Sequence, residues 1–160
     1  MRFALWVPAA VCVLAGPVYG QSTHGYVFAA PGGATSGVYT SMTLNFGVGV
    51  EARLAPHVGA GIEGGGLGFT DSFASSVMGV ISPNGYFHFK GAKGARVDPY
   101  VTGGYTAMFR YENVSMFNVG GGVNIWPRQH LGLKLEVRDH VDTRYDTIHY
   151  WGFRFGLTFK

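Results

Sequence analysis

Apolar side chains recur at every second position along most of the chain, most clearly near the C-terminus. In this segment aromatic or aliphatic residues alternate with small, polar or charged ones, and the apolar set is Trp151, Phe153, Phe155, Leu157 and Phe159. A period of two places successive side chains on opposite faces of a β-strand, whereas an α-helix repeats every 3.6 residues. The pattern therefore predicts a strand over 147–159.

The same period recurs upstream and predicts seven more strands. Clear alternation covers 44–54, 58–63, 101–109, 117–125 and 131–137. Two weaker segments complete the set: 77–89, interrupted by Ser82-Pro83-Asn84-Gly85, and a short first strand near 25–30. Eight is an even number, as expected of a bacterial barrel whose two ends lie on the same side. The connections are predicted at 31–41, 55–57, 69–75, 90–98, 112–114, 127–130 and 140–147, with the Gly-, Ser- and Thr-rich 31–41 the most mobile.

Charged residues gather on the second face of these strands. They are Glu51, Arg53, Glu63, Lys134, Glu136, Arg138 and Arg154. The interior of an eight-stranded barrel is just wide enough for side chains, so it would not hold three or four aromatic or leucine side chains from every strand. Charged side chains fit there when glycines leave room and when the charges pair, because an unpaired buried charge is costly.

We therefore predict an all-β fold: an antiparallel up-and-down transmembrane β-barrel of about eight strands. Its apolar face is directed to lipid, and its lumen is filled by the charged set. Within that set Glu136 is expected to pair with Lys134 and Arg138, and Glu51 with Arg53.

The first 20 residues have the pattern of an export signal. Arg2 supplies a positive charge, 3–14 is apolar, and 15–20 is a plausible processing region. The apolar run is shorter than the roughly 20 residues that a spanning helix needs. We predict a cleaved Sec signal peptide at 1–20 and a single barrel domain at 21–160. Cys12, the one cysteine, lies in the signal, which leaves the barrel neither a disulfide nor a thiol nucleophile.

Composition supports β structure and argues against one class of partner. The chain has 26 Gly, 12 Phe and 9 Tyr, and 13% of its residues are charged, about half the usual share. The formal net charge is +3, and the basic residues are scattered without a visible basic patch. A nucleic-acid partner is therefore not expected.

Three segments carry a resemblance to a known superfamily: Asp98-Pro-Tyr-Val-Thr-Gly-Gly-Tyr105, Phe117-Asn-Val-Gly-Gly-Gly-Val123 and Leu131-Gly-Leu-Lys-Leu-Glu-Val-Arg-Asp-His140. Over most of 24–160 the chain resembles the small outer-membrane β-barrels that include the eight-stranded outer-membrane protein A-type barrels. The resemblance implies assembly by the barrel-assembly machinery, which reads a C-terminal strand of alternating aromatics that ends in Phe. Phe159 fits this signal, and Lys160 after it departs from it.

The densest polar cluster, 138–149, contains residue types that occur in metal and catalytic sites. His140, Asp142 and His149 have side chains that bind metals, and Asp139 with His140 has the groups that orient a nucleophile. Their spacing matches no ligand motif, and adjacent strand residues face opposite ways. Small lipid A deacylases employ a Ser two residues after the His, where this chain has Trp151 after His149. We expect a solvated loop, or one in which Arg144 contacts lipopolysaccharide phosphates.

The sequence thus predicts a non-enzymatic outer-membrane barrel with a structural or surface-interaction role and no catalytic residue, cofactor or metal. Two alternatives stay open: a narrow porin-like channel, and a soluble periplasmic barrel that binds an apolar ligand. The expected partners are outer-membrane lipids, lipopolysaccharide and, during biogenesis, the barrel-assembly machinery. Because this superfamily carries several unrelated functions on one scaffold, the fold does not name the task.

Overall fold

A computed structural model describes residues 23–90, 96–110, 113–144 and 146–160. The predicted signal peptide at 1–20 lies outside this range.

Eight antiparallel strands form one closed barrel. They are β1 Thr23–Ser36, β2 Tyr39–Arg53, β3 Val58–Phe69, β4 Met78–His88, β5 Val97–Phe109, β6 Val114–Ile125, β7 Leu131–Asp142 and β8 Ile148–Phe159. Each strand pairs with the next along the chain, and β8 pairs with β1, with Gly25 opposite Phe159. The predicted fold class, an eight-stranded antiparallel up-and-down barrel, is confirmed.

Helical structure in the described residues is confined to the connection between β3 and β4, where a 3₁₀ turn at Thr70–Ser72 precedes one α-helical turn at Phe73–Ser76. No described helix has the length and apolar character needed to cross a membrane.

The predicted loop at 31–41 is wrong, because β1 continues to Ser36 and β2 begins at Tyr39. Only Gly37 and Val38 connect them, and Gly37 has a φ of 57°, which lies in the left-handed region that glycine adopts at no steric cost. Gly32 is also a strand residue. A Cβ there would collide with the backbone carbonyl of Trp151 on β8, so this glycine permits close strand packing.

The predicted interruption at Ser82–Gly85 is also wrong, since β4 runs unbroken through Pro83. Pro83 pairs with Ile62 of β3. On the other side, the ladder to β5 skips Ser82 and Pro83, as expected of a residue that has no N–H to donate. A hydrogen bond of 2.8 Å between the hydroxyls of Ser82 and Thr106 spans the skipped position.

The two faces of the strands differ as the alternation predicts. Outward-facing residues include exposed Val48, Ile62, Val101, Leu133 and Phe155. Inward-facing residues are buried and mostly polar or charged, whereas the cluster of buried apolar residues found among the described residues is small: Leu67, Val80, Met108 and Met116. The wall is therefore apolar on its outer surface and polar within.

The barrel has two distinct ends. The terminal end carries Thr23, Lys160 and the β2–β3, β4–β5 and β6–β7 connections, whereas the loop end carries the other four connections. Backbone hydrogen bonds join the terminal-end segments: Trp126 N–H donates to the Arg96 carbonyl (2.7 Å) and Lys160 N–H to the His130 carbonyl (3.2 Å).

Candidate functional site: the filled interior and the two ends

Among the described residues, Asp142 is buried at the loop end, and eight charged side chains are buried in the body of the barrel. Four are acidic and four are basic: Glu51, Glu63, Asp98, Glu136, Arg53, Lys134, Arg138 and Arg154. All seven residues of the charge network predicted from the sequence are among them, and Asp98 is the addition. The charges cancel formally, which limits the cost of holding them away from water.

Glu63 of β3 is the centre of the network. One carboxylate oxygen accepts from the Tyr26 hydroxyl at 2.6 Å and from Arg154 Nη1 at 2.8 Å. The other accepts from Arg138 Nη1 at 2.9 Å. These bonds join β1, β7 and β8 to β3 across the lumen, so the carboxylate links strands that are far apart in the sequence.

Glu136 of β7 is the second acidic centre. It accepts from the Tyr100 hydroxyl at 2.6 Å. Its other oxygen lies 2.6 Å from Arg138 Nε and 3.4 Å from Arg154 Nη1. Both arginines are thus shared between Glu63 and Glu136, and the four side chains form one ion-pair cluster.

Lys134 is fully buried above this cluster, toward the terminal end. Its Nζ lies 3.8 Å from Glu136 and 3.9 Å from Glu51. It also lies over the rings of Tyr26 (4.6 Å to the centroid), Tyr86 (5.2 Å) and Tyr100 (4.3 Å). A desolvated cation gains energy from such aromatic faces, so three tyrosines supplement the two carboxylates.

Glu51 and Arg53 do not pair with each other among the described contacts, which corrects the predicted pair. Both are inward-facing, but Arg53 contacts Asp98 and lies 2.8 Å from His88 Nδ1. Glu51 lies 2.8 Å from His88 Nε2. His88 Nδ1 also lies 3.0 Å from Asp98, so His88 joins the carboxylates of Glu51 and Asp98, and the pairing runs across strands rather than along β2.

Asp98, His88 and the three lumen tyrosines were absent from the predicted network. Asp98 was assigned to a connection at 90–98, yet it shares the alternation of Tyr100 and Thr102, which face inward. Extending that alternation by one step would have placed Asp98 in the lumen.

Little empty space remains between these side chains. One interior cavity, toward the loop end, is lined by Asn45, Arg138, His140 and Arg154 and has a volume of about 10 Å³. A single water needs roughly 10–15 Å³. The cavity is therefore no larger than one water molecule.

The polar residues of 138–149 lie on different sides of the wall. His140 is inside, 2.9 Å from the Thr106 hydroxyl, whereas His149 is outside and its Nδ1 lies 2.6 Å from Asp139. Asp142 pairs with Arg144 at 3.1 Å. The described residues contain no group of three or more side chains suited to a metal ion.

The C-terminal strand directs its apolar set outward. Trp151, Phe153, Phe155, Leu157 and Phe159 are all exposed on the outer wall. Arg154, between them, is buried in the lumen.

Several basic residues that are far apart in the sequence lie together at the terminal end of the barrel. Lys90, Arg96, Arg128 and Lys160 are exposed there. Lys160 Nζ lies 4.0 Å from the ring centroid of Trp126, and partial desolvation of the amine, reinforced by the nearby Arg53 charge, lowers its pKa. The sequence shows no basic patch, but the folded chain has a group of exposed cations at this end.

Comparison with solved structures places this geometry among known barrels. Neisserial surface protein A superimposes with a TM-score of 0.71 at 12% identity, over 88% of this chain and 99% of that one. The N-terminal β-barrel domain of Pseudomonas aeruginosa OprF gives 0.64 at 16% identity, over 87% and 96%. The outer-membrane enzyme PagL gives 0.50 at 13% identity, over 82% and 97%.

No protein-family model matches the sequence, and no curated protein matches it significantly. At these low identities the similarity concerns the fold alone. The chain has the fold of the small eight-stranded outer-membrane β-barrels.

Proposed function

We propose that the protein is an integral outer-membrane β-barrel with a structural or surface-interaction role and no enzymatic activity. The observation that carries the proposal is the contrast between the two faces of one wall. Valine, leucine, isoleucine and phenylalanine are exposed outside, whereas four acidic and four basic side chains are buried inside. In water this arrangement would expose a large apolar surface. In a bilayer the apolar outer face contacts lipid, and the charged inner face remains paired within the lumen.

The filled interior supports a role other than conduction. Glu63, Glu136, Arg138 and Arg154 form contacts across the lumen. An ion would have to break several of these pairs to pass, which is costly in a low-dielectric interior. We propose that the narrow-channel alternative does not apply and that the lumen network serves to stabilise the barrel.

Biogenesis is part of the same proposal. Residues 1–20 direct Sec export, and the outward set from Trp151 to Phe159 is the segment that the barrel-assembly machinery reads. In the finished barrel this set contacts lipid. At the loop end, lipopolysaccharide is the proposed neighbour if the terminal end faces the periplasm.

Cell fractionation with a heat-modifiability gel tests the membrane assignment. The expected result is recovery in the outer-membrane fraction and a mobility shift between unheated and boiled samples, because a closed barrel resists detergent until heated. Release into the aqueous periplasmic extract would contradict the proposal and favour the soluble barrel.

Planar-bilayer recording tests the role of the lumen. We expect no conductance steps from the purified protein, and none from Asp139→Asn, an outward-facing control. Steps that disappear in Glu136→Gln would instead establish a path through the lumen.

A further inference from the structure

The charged side chains outside the lumen are distributed unequally between the two ends. At the terminal end the exposed charges are all basic within the described residues: Lys90, Arg96, Arg128 and Lys160. At the loop end, the described residues outside the lumen include acidic Asp71, Asp139 and Asp146 together with Arg110 and Arg144, and Asp142 is buried beside Arg144. Among the described residues the exposed charges of the terminal end are thus uniformly positive, whereas the loop end carries both signs.

These four cations, called the basic rim below, lie on the β4–β5 and β6–β7 connections and on the C-terminal residue. Arg96 and Trp126 are joined by a backbone hydrogen bond of 2.7 Å, and Lys160 is joined to His130 at 3.2 Å. Lys160 also lies on the Trp126 ring. Arg53 Nη1 donates to the Lys90 carbonyl at 3.3 Å, which ties Lys90 to the buried network.

The rim lies at the edge of the apolar outer wall. Lys90 follows exposed Phe89, Arg96 precedes exposed Val97, and Lys160 follows exposed Phe159. If the apolar wall occupies the hydrocarbon core, these cations reach the adjoining headgroup layer. Long basic side chains with an apolar stem are suited to that boundary.

We infer that the basic rim binds anionic phospholipid headgroups of the leaflet that surrounds the terminal end. The inference rests on the proposed membrane function and adds a partner to it. Exposed cations near a membrane surface attract anionic lipid, and no exposed acidic side chain among the described residues offsets them here. The phosphate groups take the place of the missing acidic partners.

Electron spin resonance with spin-labelled lipids tests the inference on the full chain reconstituted in phosphatidylcholine bilayers. Labelled phosphatidylglycerol is expected to associate with the protein about fivefold more strongly than labelled phosphatidylcholine at low ionic strength. The preference is expected to fall toward unity near 1 M salt, where the Debye length is about 3 Å.

Two variants separate the rim from the rest of the barrel. K90Q/R96Q/R128Q/K160Q is expected to lose the preference, whereas the matched loop-end variant R110Q/R144Q retains it. A preference that survives in the rim variant, or that salt leaves unchanged, overturns the inference. Should the rim variant fail to fold, the salt series on the unchanged protein still decides.

The two proposals fail in different ways. A chain that does not insert into bilayers and shows no heat-dependent gel shift contradicts the membrane function itself. A chain that inserts, but associates equally with both labelled lipids, contradicts only the basic-rim inference. Equal association together with sedimentation on isolated cell-wall polymer would assign the rim to that polymer and overturn lipid binding.

Discussion

Replacing Glu63 with glutamine removes one negative charge from an interior in which four acids balance four bases. The carboxylate accepts from Arg138 at 2.9 Å and Arg154 at 2.8 Å, and from Tyr26 at 2.6 Å. Glutamine has nearly the same shape but keeps only one acceptor oxygen. Its NH₂ group faces donors, so at least one arginine contact is lost and the lumen gains a net positive charge.

The magnitude follows from these contacts. Hydrogen bonds to charged groups contribute about 1.5–3 kcal/mol each, and removing one partner of a buried ion pair costs about 3–5 kcal/mol. Both arginines keep Glu136 as a partner, at 2.6 and 3.4 Å. We therefore expect Glu63→Gln to lower the free energy of unfolding by about 3 kcal/mol, at the lower end of that range.

The measurement is a urea titration of the protein reconstituted in vesicles, followed by tryptophan fluorescence and checked by the gel shift. Asp139→Asn is the matched control, because it also converts a carboxylate to an amide. Asp139 lies on the outer wall, where the described contacts pair it with His149 at 2.6 Å, and a partly exposed pair contributes at most about 1 kcal/mol. If Glu63→Gln destabilises the barrel no more than this control does, the interior network does not hold the strands together.

Three further substitutions test other parts of the structure by the same titration. Phe155→Arg places a charge on the outer wall and is expected to lower the free energy of unfolding by about 2–4 kcal/mol in vesicles; no loss would contradict the lipid-facing assignment. Gly49→Ala sets a Cβ 2.5 Å from the Tyr26 ring and is expected to cost about 1–3 kcal/mol. Gly85→Ala is its control, since the nearest atom to that Cβ is 3.8 Å away, and equal effects would refute the packing argument. Asp98→Asn deprives Arg53 of a buried carboxylate and is expected to cost about 2 kcal/mol or more; a neutral result would show that His88 and the backbone carbonyls suffice.

The elements that the alternation predicts best are those with an uninterrupted contrast between faces. In β7 the outward Leu133 and Leu135 alternate with inward Lys134 and Glu136, so the period and the face follow from the order of residues. Residue types that are common in turns predicted the strand boundaries less well. Proline and glycine are typical of loops, yet Pro83 and Gly32 are strand residues here. Pro83 lies where the hydrogen-bond ladder to β5 skips two residues, and Gly32 lies where β1 and β8 approach closely.

The sequence predicted which charged side chains face the lumen better than it predicted which of them pair. Glu51 and Arg53 face the same side of β2, which suggested a pair, yet their partners come from other strands: His88 for Glu51 and Asp98 for Arg53. A long side chain in a narrow barrel reaches across the lumen as readily as along its own strand. The contacts therefore depend on the register between strands, which alternation within one strand does not contain.

By itself, the sequence determined the number and type of the strands, the face that each side chain takes and the presence of charges in the lumen. A strand repeats every two residues whatever it packs against, which is why these properties are local. Closure of the barrel decided the rest. It joined Glu63 to Arg138 and Arg154 across the lumen, and it brought Lys90, Arg96, Arg128 and Lys160 to one end although up to 70 residues separate them. Both arrangements depend on which strands are neighbours and on the register between them, and only the closed tertiary structure fixes these relations.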